Sequence, residues 1–165
     1  LPLLALSACS SNSDTEEQSQ VDTNAEVTQN AEDSVQVAAA KREAEIQEQK
    51  RQQLAKLRSE HIVYFGFDVS SVSNEYAAIL DAHAKFLNAN ADVKVLVEGH
   101  ADERGTPEYN IALGERRAKA VVTYLENMGV DSNQLSVVSY GEEKPMVMDR
   151  TESAFAQNRR AVLVY

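Results

Sequence analysis

The densest run of chemically capable side chains is Glu98-Gly99-His100-Ala101-Asp102-Glu103-Arg104-Gly105-Thr106-Pro107. An apolar strand-like stretch, Val93-Lys94-Val95-Leu96-Val97, precedes it, and a helical pattern opens at Pro107. The run therefore falls beyond the carboxyl end of a strand and ahead of a helix N-terminus, the place where α/β folds favour ligands. A loop there presents side-chain charge and free backbone N–H groups together. Within it, His100 with Asp102 and Glu98 is the combination that could serve a hydrolase or a metal ion. The chain has three histidines, however: His61 opens a strand and His83 lies on an apolar helix face. Neither an H-x₃-H spacing nor a G-x-S-x-G elbow is present. The run reads as a binding loop, with no catalytic residue, metal ligand or cofactor assigned, and a hydrolase stands as the weaker alternative.

The helix that follows can be read by angle, at 100° per residue. Ala118, Val121, Val122 and Leu125 centre its apolar stripe, with Met128 at the edge. Arg116 falls on the solvent side. Arg117 falls at the stripe's margin beside Leu113, Val121 and Tyr124, which predicts a packed stem and a guanidinium presented at a rim. On this geometry alone the guanidinium either meets a ligand or pairs with a nearby acid, and the second is the commoner fate.

The elements that must position these residues follow from patterning. Ile62-Val63-Tyr64-Phe65-Gly66-Phe67 reads as a buried strand. Tyr76, Ile79, Leu80, His83, Phe86 and Leu87 keep the spacing of an amphipathic helix, with Ser73 or Asn74 as its cap. Pro107 suits the first turn of a long helix that runs to Met128 and stops at Gly129. Leu135 to Tyr140 makes a third strand, Thr151 to Gln157 a short helix, and Ala161 to Tyr165 a last strand. The alternation predicts an α/β two-layer sandwich, with two main helices on a mixed sheet of about four strands.

Composition divides the chain of 165 residues in two. All ten aromatics and all six glycines lie beyond residue 60, so only the second part can build an aromatic core. The net charge of −10 argues against a general nucleic-acid binder. Residues 1–40 hold seven acids and no base, and residues 61–165 hold fifteen acids against ten bases, so the strongest acidity belongs to the leader. The single cysteine, Cys9, excludes an internal disulfide. It follows a short apolar run, in which Leu6-Ser7-Ala8-Cys9 resembles a bacterial lipobox, so residues 1–8 read as a signal-peptide remnant and Cys9 as a lipidation site. The run is too short to span a bilayer. Residues 10–40 are too polar to fold, whereas 34–60 are rich in Ala, Lys, Glu, Gln and Arg and favour helix. Without a sustained heptad they predict no coiled coil. Residues 9–60 thus form a polar, partly helical tether, and a flexible stretch of that length spans about 40 Å.

Several motifs together carry a resemblance. Val97 to Asn110, followed by Leu113-Gly114-Glu115-Arg116-Arg117-Ala118, resembles the signature of the OmpA-like peptidoglycan-binding domain. Tyr64-Phe65-Gly66-Phe67-Asp68, Val138-Ser139-Tyr140-Gly141-Glu142-Glu143-Lys144-Pro145 and Asn158 to Tyr165 are similar to lipid-anchored members of that family, so the resemblance covers about 61–165. Ala101 departs from it, since many relatives have Thr there. The resemblance implies a noncovalent ligand, the diaminopimelate residue of peptidoglycan stem peptides, whose free end carries an ammonium and a carboxylate. Asp102 would accept from the ammonium, and Arg117 would grip the carboxylate. Phe67 and Asp68 match ligand-contacting positions, with Arg104, Thr106, Asn110 and Leu113 as loop contacts or helix caps. It also implies an outer-membrane lipoprotein facing the periplasm, which tethers membrane to cell wall within the Tol system in envelope integrity and cell division. The periplasmic Tol propeller protein is the implied protein partner, and binding to it is the alternative principal function.

Overall fold

The computed structural model describes residues 18–165, with side chains from residue 26; the apolar stretch 1–8 and Cys9 lie outside the described residues. The chain divides after Gln49 into two units. The helix α1, Gln18–Ser59, runs through that division. Its residues 26–49 are all exposed, as expected of a helix that is polar all round and held by its own side-chain pairs. One such pair is Gln47 Nε2 donating to Glu43 Oε1 at 2.9 Å. Composition placed the helical onset near Ser34, but the helix begins at Gln18. No glycine or proline interrupts the intervening stretch, so polarity there denies it a core without denying it helical backbone. Among the described residues, no helix is long and apolar enough to cross a membrane.

In the second unit, Lys50–Tyr165, four strands form one sheet in the order β1-β4-β2-β3. They are β1 Ile62–Tyr64, β2 Val95–His100, β3 Leu135–Gly141 and β4 Arg160–Val164. β2 and β3 are parallel, joined by helix α3, Pro107–Asn127. β4 inserts antiparallel between β1 and β2, which β1 reaches through helix α2, Ala77–Ala89. A short helix α4, Glu152–Asn158, leads into β4. This is the expected mixed sheet with two main helices, and strand alternation explains the core. Val63, Ala161, Leu163, Val95 and Val97 bury one face of the sheet against Leu80, Ala84 and Leu87 of α2 and Ala118, Val121 and Leu125 of α3.

Three local features bear on function. First, β1 pairing stops at Tyr64, short of the expected Phe67. The Phe65 N–H still reaches the Arg159 carbonyl at 2.9 Å, but the chain then turns, with Val69 N donating to Gly66 O at 3.2 Å and Asp68 at φ +55°. Second, α3 starts and ends on the expected signals. Thr106 Oγ1 accepts from Tyr109 N at 3.2 Å, Pro107 opens the first turn, and Gly129 follows at φ +93°. Third, α3 lies directly on β2 through a glycine contact. A Cβ on Gly99 would stand 1.7 Å from the Gly114 carbonyl oxygen, so no larger residue fits there. That contact brings the N-terminal half of α3 down onto the loop after β2.

Helix α2 opens differently from expectation. A single 3₁₀ turn, Asn74–Tyr76, precedes it, and the Ser73 side chain makes no capping bond. His83, on the face of α2 turned to the sheet, is fully buried. Its Nε2 donates to the Glu60 carbonyl at 2.7 Å, leaving Nδ1 to accept from the Tyr165 hydroxyl at 2.5 Å. The histidine thus ties the end of the chain to the approach to β1.

Candidate functional site

The loop after β2, the turn after β1 and the first turns of α3 enclose a groove of about 200 Å³. Phe67, Asp68, Asp102, Arg104, Asn110, Leu113 and Arg117 line it, together with Gly105 and Tyr109. Seven of the eight binding residues expected from the sequence thus meet at one place. Thr106 is the exception: its hydroxyl is spent on capping α3 and it does not line the groove.

Asp102 is only 5% exposed and surrounded by donors. Its Oδ1 accepts from the Arg104 backbone N–H at 3.0 Å and from Arg104 Nε at 3.1 Å. Oδ2 accepts from Arg104 Nη2 at 2.8 Å and Arg159 Nη1 at 3.3 Å. Burial alone would raise this carboxyl, but the bonds from Arg104 and Arg159 outweigh it and hold the group below the usual carboxylate range. The Arg104 guanidinium lies over two rings, 4.3 Å from the Phe67 centroid and 4.5 Å from that of Phe155. Its Nη1 reaches Glu152 Oε2 at 3.2 Å.

Arg117 does not sit as the helical angle predicts. It is fully buried, and its guanidinium is not offered at a rim. Nε donates to Val69 O at 2.8 Å, Nη1 to His100 O at 2.8 Å and Nη2 to Gly66 O at 3.1 Å. Nor, among the described residues, does it form an ion pair with an acid, the other fate that geometry left open. A helical wheel locates the stem but not the loop that folds over its end, and here the 66–69 turn closes over the guanidinium. Burial, then the neighbouring Arg159, lower Arg117 to about 10, so it stays charged at neutral pH beneath the groove floor. Three of the five guanidinium N–H donors are committed to carbonyls.

The same turn is fixed from two other sides. Arg159 Nε donates to Phe65 O at 3.0 Å, and the Tyr109 hydroxyl donates to Asp68 Oδ1. Asn110, 1% exposed, donates from Nδ2 to Glu142 Oε2. Arg159, Tyr109 and Glu152 were missed at the sequence level. Arg159 stands in a recognised motif, Asn158-Arg159-Arg160, but its partner Asp102 is 57 residues away and nothing local announces it. Arg159 Nη1 also bonds Glu152 Oε1 at 3.0 Å. The site is therefore an alternating field of guanidinium and carboxylate groups under an aromatic lip, suited to a small ligand carrying both charges. Among the described residues, no cluster of His, Cys, Asp and Glu could hold a metal ion.

A charged groove at the junction of β2, α3 and the β1 turn, on a mixed sheet of this order, defines a family rather than an isolated fold. The family model described as OmpA matches residues 64–159, and the chain belongs to the OmpA family. The peptidoglycan-associated lipoprotein of Haemophilus influenzae is 63% identical over 103 residues, covering 62% of this chain and 67% of that one. That of Pseudomonas putida is 52% identical over 109 residues, covering 66% and 65%. Among solved structures, the peptidoglycan-associated lipoprotein from Burkholderia pseudomallei matches with a TM-score of 0.63 at 48% identity, covering 64% of this chain and 89% of that one. The C-terminal domain of Helicobacter pylori MotB shares the fold, with a TM-score of 0.58 at 23% identity, covering 62% and 81%.

Proposed function

We propose that this protein is an outer-membrane lipoprotein that binds peptidoglycan noncovalently through the diaminopimelate of its stem peptides. The observation that carries the reading is the groove itself. Asp102 supplies an ionised acceptor, while Arg104 beside it and the buried charge of Arg117 supply cations in the same groove. The free end of diaminopimelate bears one ammonium and one carboxylate on the same carbon, so it matches a groove with both signs on adjacent walls. Names given to the relatives agree with a wall-associated role. The groove lining contains no Ser, Cys or His. Its buried carboxylate, Asp102, is held below the usual range by guanidinium bonds and is not kept protonated as a general acid would be, so we read the site as noncatalytic.

Anchoring belongs to the same reading. Lipid on Cys9 would hold the membrane end, with 9–60 as tether and 61–165 as the binding domain in the periplasm. Helical backbone along α1 makes the tether locally stiffer than composition implied. Many such tethers on one polymer bind it by avidity without a tight single site.

A second partner, the periplasmic Tol propeller protein, is carried over from the family resemblance, and with it roles in envelope integrity and cell division. The exposed Phe67 and Tyr109 on the groove wall favour it, since a protein covering them would gain apolar contact. Such a partner would compete with the wall for one face. Titrating the isotopically labelled protein with L-Ala-γ-D-Glu-diaminopimelate tests the reading. Amide shifts should concentrate at 66–69, 102–105 and 109–113, and shifts confined to other surfaces would overturn it.

A further inference from the structure

An ionised carboxylate offers about four lone-pair positions, and on Asp102 four donors already occupy them: the Arg104 backbone N–H, Arg104 Nε and Nη2, and Arg159 Nη1. A ligand ammonium finds no free acceptor there and must displace a donor. The two guanidinium groups differ in how easily they yield. The Arg159 side chain is 8% exposed and is also committed to Phe65 O and Glu152 Oε1. The Arg104 side chain is 35% exposed, stands on a loop beside Gly105, and lies in the groove lining. Beyond Asp102 it is held by the exposed Glu152 Oε2 at 3.2 Å, and among the described residues no backbone carbonyl fixes it as Phe65 O fixes Arg159. Its guanidinium rests against the Phe67 and Phe155 rings, contacts that are less directional than the carbonyl bond fixing Arg159.

We infer that Arg104 is an internal occupant of the ammonium subsite and that a zwitterionic ligand binds by exchanging ion pairs with it. The ligand ammonium takes the place of the Arg104 guanidinium on Asp102, and the freed guanidinium takes the ligand carboxylate. Arg159 stays, keeping Asp102 paired throughout. One internal pair is thereby replaced by two intermolecular ones. A ligand with an ammonium alone breaks the internal pair and returns nothing to Arg104, so the exchange selects for the second charge. The inference rests on the groove reading above, and it makes Arg104 the residue that sets specificity rather than one contact among several.

The test uses the full chain and two tripeptides, L-Ala-γ-D-Glu-diaminopimelate and the same peptide with lysine, which keeps the side-chain ammonium and lacks its neighbouring carboxylate. Calorimetric titration of the unaltered protein should favour the diaminopimelate peptide by tenfold or more, about the worth of one charge-assisted bond. In Arg104→Ala the lysine peptide should bind more tightly than it does to the unaltered protein, and the preference should shrink to about threefold or less, with only the buried Arg117, already bonded to three carbonyls, left to distinguish the peptides. Arg104→Gln, which keeps a side chain against the rings without charge, should behave likewise and guards against a loop collapse in the alanine variant. If both variants keep the full preference and neither gains lysine-peptide binding, the exchange is wrong while the groove reading stands. If the unaltered protein binds neither peptide, the groove reading fails and the exchange with it.

Discussion

Arg159 Nη1 lies 3.3 Å from Asp102 Oδ2, joining the start of β4 to the loop after β2 with both side chains buried. The pair makes Asp102 structural as well as recognitive. Truncating it leaves the buried Arg159 guanidinium with only the exposed Glu152 as counter-charge, and breaking buried pairs costs about 3–5 kcal/mol, so the lower end applies. Asp102→Ala should therefore lower unfolding stability by about 3 kcal/mol, read as a lower urea midpoint. Asp102→Asn keeps the shape and one acceptor and should lose less than half as much.

Arg117 holds three carbonyls that no other side chain reaches in the described structure, two of them in the 66–69 turn. Arg117→Ala leaves those acceptors and a cavity behind, so a loss of about 3 kcal/mol or more is expected. Arg116→Ala, one position away and exposed, should stay within about 0.5 kcal/mol. Equal effects of the two substitutions in chemical denaturation would remove Arg117 from its place in the fold.

Acid should weaken the domain in two steps. His100 is buried, and among the described residues neither ring nitrogen has a hydrogen-bond partner; Glu98 Oε2 is 3.7 Å from Nε2, and Tyr140, Lys144 and Arg160 lie around it. Burial first, then Arg160 and Lys144, lower it to about 4. The unfolded chain takes up that proton near pH 6.5 and the folded one only near 4, so stability falls as pH drops across that window. His83, also lowered by burial, acts in the same direction. Asp102, held below the usual carboxylate range, stabilises above about pH 4 and loses that contribution as pH falls further. His100→Leu should shrink the first step to the share left by His83, and leave the second, in denaturant melts taken from pH 7 to about 2.

Cys9 carries the membrane half of the proposal. Cys9→Ser should move the protein from the membrane fraction to the soluble one after osmotic release. Unchanged fractionation would dispose of the lipid anchor.

What the sequence could and could not disclose follows from the range of each interaction. Thr106, Pro107 and Gly129 mark the ends of α3 because capping acts within a turn of the residue concerned, and the alternation of Val95 and Val97 gives β2 its buried face for the same local reason. The groove residues were legible through motif resemblance, and seven of them line it. Arg117 was misplaced because its surroundings are set by a turn 48 residues earlier, at Val69. Arg159 escaped because its partner is fixed only when β4 enters between β1 and β2. The early start of α1 has another cause, since polar composition speaks to burial and says little about backbone conformation.

Co-sedimentation with purified sacculi, with and without free L-Ala-γ-D-Glu-diaminopimelate, tests the central claim most directly. The unaltered protein should pellet with the sacculi and be released by the peptide, while folded Asp102→Asn should remain in the supernatant. Pelleting of Asp102→Asn to the same extent, or indifference of the unaltered protein to the peptide, would contradict the account.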